Sequence, residues 1–189
     1  GPGSDDGGWL NGGAEIIVRG NAANGVANAM AQGRIYVAGS IGARGMTMTK
    51  RNPRFAPPEL WVLGSAGDYF AEFMAGGVAV ICGYEPQNPV NVLGYRACVG
   101  MVGGRIFIRG PHEGYSRADA KLTPLSDEDW NWLEEGLERF LRSIDRLELS
   151  DTLTDRGQWQ LIEARGPREK YSKPRRSIDS FHQDVWDRE

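Results

Sequence analysis

The stretch Ile16-Ile17-Val18-Arg19-Gly20 returns 19 residues later as Ile35-Tyr36-Val37-Ala38-Gly39. Each version is a short β-rich run that ends in glycine, and three further versions occupy residues 60–64, 78–83 and 106–110. A period of about 20 residues, with one strand-like run in each unit, is typical of a solenoid. The repeat therefore predicts an all-β domain, a right-handed, single-stranded parallel β-helix of about five or six coils.

Glycines mark the beginnings and ends of these runs. The corners of a solenoid need positive φ, which glycine adopts at little cost. We therefore expect eight repeat glycines to be structural: Gly20, Gly33, Gly39, Gly64, Gly77, Gly83, Gly104 and Gly110. Met30 and Met74 take the same place in their units, where a flexible side chain fits an irregular interior. A nucleotide loop at residues 39–45 is disfavoured because a strand-like run follows these glycines, whereas that motif requires a helix.

Two proline-containing insertions interrupt the period, at residues 50–59 and 84–91. Insertions in solenoids form loops on one flank, where partners often dock. Arg54, Phe55 and Tyr84 are the side chains that we expect to contact a partner, with plain surface loops as the alternative.

The pattern changes after Tyr115. Ser126 followed by three acidic residues predicts a helix start, and apolar residues at three- and four-residue steps predict one amphipathic helix over 127–147 that caps or flanks the solenoid. Residues 158–164 alternate like a short edge strand. The predicted organisation is a tag remnant (1–4), a β-helix domain (5–115), a helix and strand extension (116–166) and an extended polar tail (167–189), in which Trp186 is a candidate anchor in a partner groove.

Composition excludes several classes of function. A net charge of −3 argues against nucleic-acid binding, which usually requires a basic face. No apolar stretch approaches the roughly 20 residues that span a bilayer, and no signal peptide opens the sequence, so we expect a cytoplasmic protein with no membrane partner. The two cysteines, Cys82 and Cys98, lie in apolar runs and are expected to be buried thiols, and the two histidines add no metal-ligand spacing.

The repeats resemble the GXGXG domain of glutamate synthase, and above all its separate-subunit form, over residues 16–21, 33–45, 60–83 and 93–110. The resemblance implies a spacer that holds a glutaminase portion and a flavin-bearing synthase portion in fixed relation, so that ammonia passes between them. The family's catalytic cysteine, FMN contacts and iron–sulfur ligands lie on other domains or subunits. It therefore implies no catalytic, cofactor-binding or metal-binding residue in this chain, and partners that are an FMN-binding synthase subunit and a glutamine amidotransferase subunit.

Two other interpretations stay open. N-methylglutamate synthase and formylmethanofuran dehydrogenase use related repeats, so the chain could be the equivalent subunit of either. A β-helix could also belong to a stand-alone carbohydrate-active protein, although no stripe of acidic residues favours it.

Overall fold

The computed structural model describes Asp5, Gly7, Gly8, residues 12–166 and Glu169. These residues form a mostly β structure with one mixed sheet in the order β1-β2-β3-β4-β5-β7-β6. Its strands are β1 (Gly12–Val18), β2 (Gln32–Val37), β3 (Glu59–Val62), β4 (Ala75–Ile81), β5 (Gly103–Arg109), β6 (Ala120–Thr123) and β7 (Trp159–Ala164). The first five are the five predicted runs, and neighbouring members pair in parallel.

The connections between the parallel strands are hydrogen bonded to one another. Ala29 donates its N–H to Thr47 O in the next connection at 2.8 Å, and Met48 donates to Glu72 O at 3.0 Å. Met46 donates in the opposite direction, to Val26 O at 2.8 Å. Backbone N–H and C=O groups that would bond to water in an ordinary loop are thus hydrogen bonded within the protein.

Alternate residues of the connections have a left-handed backbone. The second connection has φ 61° at Arg44, 55° at Met46 and 55° at Met48, and the third has φ 59° at Tyr69, 57° at Ala71 and 53° at Phe73. The N–H groups of these left-handed residues bond alternately to the following connection and to the preceding one. The expectation that glycine supplies the corners is therefore wrong for most of these positions, because the hydrogen bonds between connections hold side-chain-bearing residues in this region.

The first core lies between the sheet and the stacked connections. Registered strand residues face it, namely Ile35, Leu60, Ala79, Ile106 and Ile162. The connections contribute their own buried side chains, among them Met30, Met46, Met74 and Met101. The predicted interior methionines at positions 30 and 74 are confirmed, and both are fully buried.

A second core covers the opposite face of the sheet. Tyr36, Trp61, Val80, Phe107 and Leu161 are in register there. Helix α1 (Asp127–Ser143) packs on them through Leu133, Leu137, Phe140 and Leu141. Strands β2 to β5 bury apolar side chains on both faces, which is typical of parallel sheets covered on each side.

Helix α1 begins where the sequence predicts and ends early. Ser126 and Asp129 form a reciprocal capping box at its start. The predicted end at residue 147 is wrong: the helix stops at Ser143, and Asp145 has φ 58°. A 3-10 turn (Leu147–Leu149) and the short helix α2 (Ser150–Leu153) follow, and their buried Leu149 and Leu153 extend the apolar face beyond the true helix end.

The C-terminal strand differs from its prediction. β7 is confirmed as a strand, but it lies between β5 and β6 and pairs antiparallel with both, so the outer edge belongs to the unpredicted β6. The sheet is therefore mixed and not wholly parallel. β7 satisfies the edge of β5 that a purely parallel stack would leave open. The predicted tag remnant and the tail with Trp186 lie outside the described residues, apart from Glu169.

Candidate functional site

The first insertion forms a tight turn at the amino ends of the strands; residues 50–57 are called the basic turn. Phe55 N–H donates to Asn52 O at 3.1 Å, and Arg54 N–H donates to Asn52 Oδ1 at 3.0 Å. Thr49 fixes the start of the turn by donating its hydroxyl to Gly76 O at 2.7 Å. After the turn, Val78 N–H bonds Pro58 O at 2.8 Å.

The basic turn carries charge and an exposed aromatic ring. Lys50, Arg51 and Arg54 are exposed and form no ion pair with any residue that the structure describes. Phe55 is 54% exposed. The sequence-predicted contacts Arg54 and Phe55 therefore stand together on the surface.

Two open cavities flank Phe55. One of about 320 Å³ lies towards β1 and β2 and is lined by Phe55, Pro57, Glu15, Arg34 and Glu59. The other, of about 450 Å³, lies towards β4 and β5 and is lined by Arg51, Pro53, Phe55, Gly77 and Arg105. Both volumes fall in the range of about 300–1,000 Å³ that is common for binding pockets.

A row of alternating charges crosses the sheet beside these cavities. In register across the strands stand Glu15, Arg34, Glu59, Val78, Arg105 and Glu163. Arg34 donates through Nε and Nη2 to the two carboxylate oxygens of Glu59 at 3.0 and 3.1 Å. Arg105 donates to Glu163 at 3.2 Å and also pairs with Asp129 of α1.

Glu59 is the most buried member of the row, with 8% of its surface exposed. It accepts a 2.8 Å hydrogen bond from Trp61 Nε1 and lies 3.5 Å from Arg139 Nη2. Arg139 also donates to the Tyr36 hydroxyl at 3.0 Å, so this helix residue reaches back to the sheet. The hydrogen bonds to Glu59 raise the pKa of the Arg34 guanidinium, and burial raises the pKa of Tyr36 although Arg139 opposes it.

Asp129 links the helix start to the charged row. Burial alone would raise the pKa of this carboxyl, but hydrogen bonds from Arg105 and Ser126 outweigh burial and leave the pKa below its usual value. A depressed carboxyl pKa stabilises the folded state above the unfolded pKa of about 3.9, and that stabilisation is lost as the pH falls through the folded value.

The second insertion is packed down more closely than the first. Tyr84 is half-buried against the second core, with the Arg146 guanidinium 5.4 Å from its ring centre. The backbone of Gln87 and Asn88 contacts the buried hydroxyls of Ser40 and Ser65 at 3.4 Å. The structure does not bring Tyr84 together with Arg54 and Phe55.

The repeat glycines serve two different needs. Gly33, Gly77, Gly83, Gly104 and Gly110 have positive φ, as predicted. Gly20, Gly39 and Gly64 do not, and they stack in a column with Gly83 at the carboxyl ends of the strands. A Cβ on Gly39 would lie 2.9 Å from Asn21 N and from Gly20 C, so close approach of backbones excludes a side chain. Gly64 N–H bonds Gly39 O at 2.9 Å in the same column.

The two cysteines and His112 have the surroundings of structural residues. Cys82 and Cys98 are buried in different cores. Burial raises the pKa of both thiols, that of Cys98 to about 12. His112 bonds Gly110 O through Nδ1 at 2.9 Å. Among the described residues, no three His, Cys, Asp or Glu side chains are grouped closely enough to hold a metal ion.

Sheet, stacked connections and helix together define a repeat-built protein with two apolar cores and a charged rim. The chain belongs to the GXGXG motif family, whose model matches residues 14–155, which include most of β1, all of β2 to β6, and α1. Among curated proteins, none matches the chain. Within the described part, no helix is long and apolar enough to cross a membrane.

Proposed function

We propose that the chain is a non-catalytic scaffold subunit of a glutamate-synthase-like complex in nitrogen metabolism, and that it works in the cytoplasm. Its parallel strands and stacked connections would be the coils of a right-handed parallel β-helix. The observation that carries the proposal is the family match over residues 14–155, because it includes α1 as well as the repeats.

The packing supports a mechanical role. Strands β2 to β5 have buried side chains on both faces of the sheet, and successive connections bond to one another. Deforming such a stack would break backbone hydrogen bonds and open cavities at the same time, which costs several kcal/mol for even one large core side chain. A rigid block of this kind can hold two partners at a fixed separation.

The partners in this proposal are an FMN-binding synthase subunit and a glutamine amidotransferase subunit. FMN and the iron–sulfur centre belong to those partners, and no cofactor belongs to this chain. The basic turn and the second insertion are the proposed contacts. In this arrangement the chain contributes geometry, while the partners carry out ammonia release and reductive transfer.

Co-expression tests the proposal. We expect the full chain to form one complex with both subunits in size-exclusion chromatography with light scattering. Glutamine-dependent activity of the mixture should require the chain, whereas activity with free ammonium should persist without it. Turnover of a glycan by the purified chain, assembly only with formylmethanofuran dehydrogenase subunits, or a stable homo-oligomer that ignores both partners would overturn it.

A further inference from the structure

We propose that the basic turn binds an extended acidic segment of a partner protein, and that this segment places one bulky apolar side chain beside Phe55. The inference rests on the proposed role as an interaction subunit. It adds the chemistry of the partner surface that the turn recognises.

Charge on the turn points to an acidic partner. Residues 48–58 contain Lys50, Arg51 and Arg54 and no acidic residue. The next acid in the chain, Glu59, is already committed to Arg34, Arg139 and Trp61. The turn is therefore a locally positive surface on a chain whose net charge is −3. Such a patch attracts an acidic segment over about one Debye length, roughly 8–10 Å at physiological salt.

The apolar part of the surface points to an anchoring side chain. Phe55 stands 54% exposed between the two cavities and lines both of them. Aromatic residues and arginine are both enriched in the parts of interfaces that contribute most of the binding energy. Arg51 lines the larger cavity with Phe55, so an apolar side chain and a carboxylate can be accommodated next to each other.

The layout favours an extended occupant over a compact one. The cavities lie on opposite sides of the same turn, one beside β1 and β2 and the other beside β4 and β5. A segment that crosses Phe55 can reach both, whereas a small molecule would fill one of them.

The basic turn is held in one conformation before any partner binds. Asn52 fixes it with two hydrogen bonds, and Pro53, Pro57 and Pro58 restrict its backbone. The backbone of Arg51 packs closely on Gly76, since a Cβ added to Gly76 would lie 3.0 Å from both Arg51 Cα and Arg51 N. A surface held in this way loses little conformational entropy on association, which increases affinity.

A designed peptide tests the inference without any partner subunit. The probe is a short fluorescein-labelled peptide with four glutamates around one phenylalanine, and the protein is the purified full chain. We expect saturable binding by fluorescence anisotropy that weakens at least tenfold when salt rises from about 0.05 M to about 0.5 M.

Variants locate the binding surface. The double substitution Arg51→Glu and Arg54→Glu should weaken binding at least tenfold, and Phe55→Ala about fivefold or more. The matched controls Arg117→Glu and Val90→Ala change an exposed cation and an exposed apolar residue elsewhere, and should bind as the unchanged chain does. Circular dichroism and the thermal midpoint check that each variant is folded.

Three results would overturn the inference: equal binding by the turn variants, equal binding of a peptide with glutamine in place of glutamate, or no binding. None of these measurements involves the synthase or amidotransferase subunits. A negative peptide result therefore does not affect the co-expression result. Failed co-expression would likewise leave the peptide result intact.

Discussion

Single residues in this protein adopt backbone conformations that their side chains disfavour. Ala29, Met48 and Phe73 occupy equivalent places in successive connections with φ between 53° and 55°. A left-handed residue other than glycine costs about 1–2 kcal/mol. The connections offset this cost because each such N–H forms a hydrogen bond of 2.8 to 3.0 Å to the next connection.

Replacing Ala29 with glycine should therefore stabilise the protein. Relief of the left-handed strain outweighs the added freedom of the unfolded chain, so we expect the free energy of unfolding to rise by about 0.5–1 kcal/mol in urea denaturation. Ala38→Gly is the matched control, since Ala38 lies outside the positive-φ positions, and it should lower stability by about 0.5–1 kcal/mol. A loss of stability in Ala29→Gly equal to that of the control would contradict this account.

Helix α1 and the sheet meet through aromatic rings and one small residue. Trp132 stacks on Trp61 at 5.5 Å and on Phe107 at 5.2 Å between ring centres. Gly136 lies one turn further along α1, and a Cβ there would overlap the Trp61 indole. The glycine thus allows the helix to approach the sheet, although glycine is a poor helix former.

Gly136→Ala should lower stability even though alanine is the better helix former. The gain of about 1 kcal/mol in helix propensity is smaller than the expected overpacking cost of about 1–3 kcal/mol. We expect a lower thermal midpoint and a changed near-ultraviolet circular dichroism signal from Trp61 and Trp132. Glu134→Ala, on the exposed face of the same helix, serves as the control and should change neither; a more stable Gly136→Ala protein would show that the helix can move away freely.

Strand register is reinforced by the charged row, with Glu59 at its buried centre. Glu59→Gln keeps an acceptor for Trp61 but removes the buried charge that Arg34 and Arg139 share, and leaves Arg34 only its 3.3 Å pair with Glu15, so we expect a loss of about 2–4 kcal/mol in urea denaturation. The control Glu138→Gln removes an exposed pair with Arg142 and should cost less than about 0.5 kcal/mol. Similar losses in both variants would mean that burial of Glu59 contributes nothing beyond surface pairing.

The whole molecule unfolds as a unit if its two cores depend on one sheet. Cys82 belongs to the helix-covered core and Cys98 to the core beneath the connections. Strands β2 to β5 each contribute to both cores, so we expect neither core to open while these strands stay paired.

Thiol labelling measures this coupling. In single-thiol variants, Cys82→Ala and Cys98→Ala, we expect iodoacetamide at pH 8 to label the remaining cysteine only on global unfolding, at rates within about twofold of each other. Burial and the raised pKa of both thiols protect them in the folded state. If the thiol of Cys82 were labelled about tenfold faster than that of Cys98, the helix-covered core would be opening alone.

Some residues of the candidate site could be identified from the sequence, and others only from the structure. Arg54 and Phe55 could be found from the sequence because a proline-rich insertion into a regular period must leave the stack. The charged row could not, since Glu15, Arg34, Glu59 and Arg105 become neighbours only through strand register. Arg139 was missed for a related reason, because helical periodicity places it on the polar face while its long side chain reaches Tyr36 and Glu59.

By itself, the sequence determined the five parallel strands, the buried methionines and the capped start of α1, because period, small residues and capping depend on neighbours in the chain. Tertiary structure alone decided that β7 enters the sheet antiparallel between β5 and β6, and that α1 covers the second face. It also decided which residues take positive φ, since the hydrogen bonds that hold Ala29 or Met48 come from connections about 20 residues away. Pairing over such distances depends on register and stacking, which no local pattern encodes.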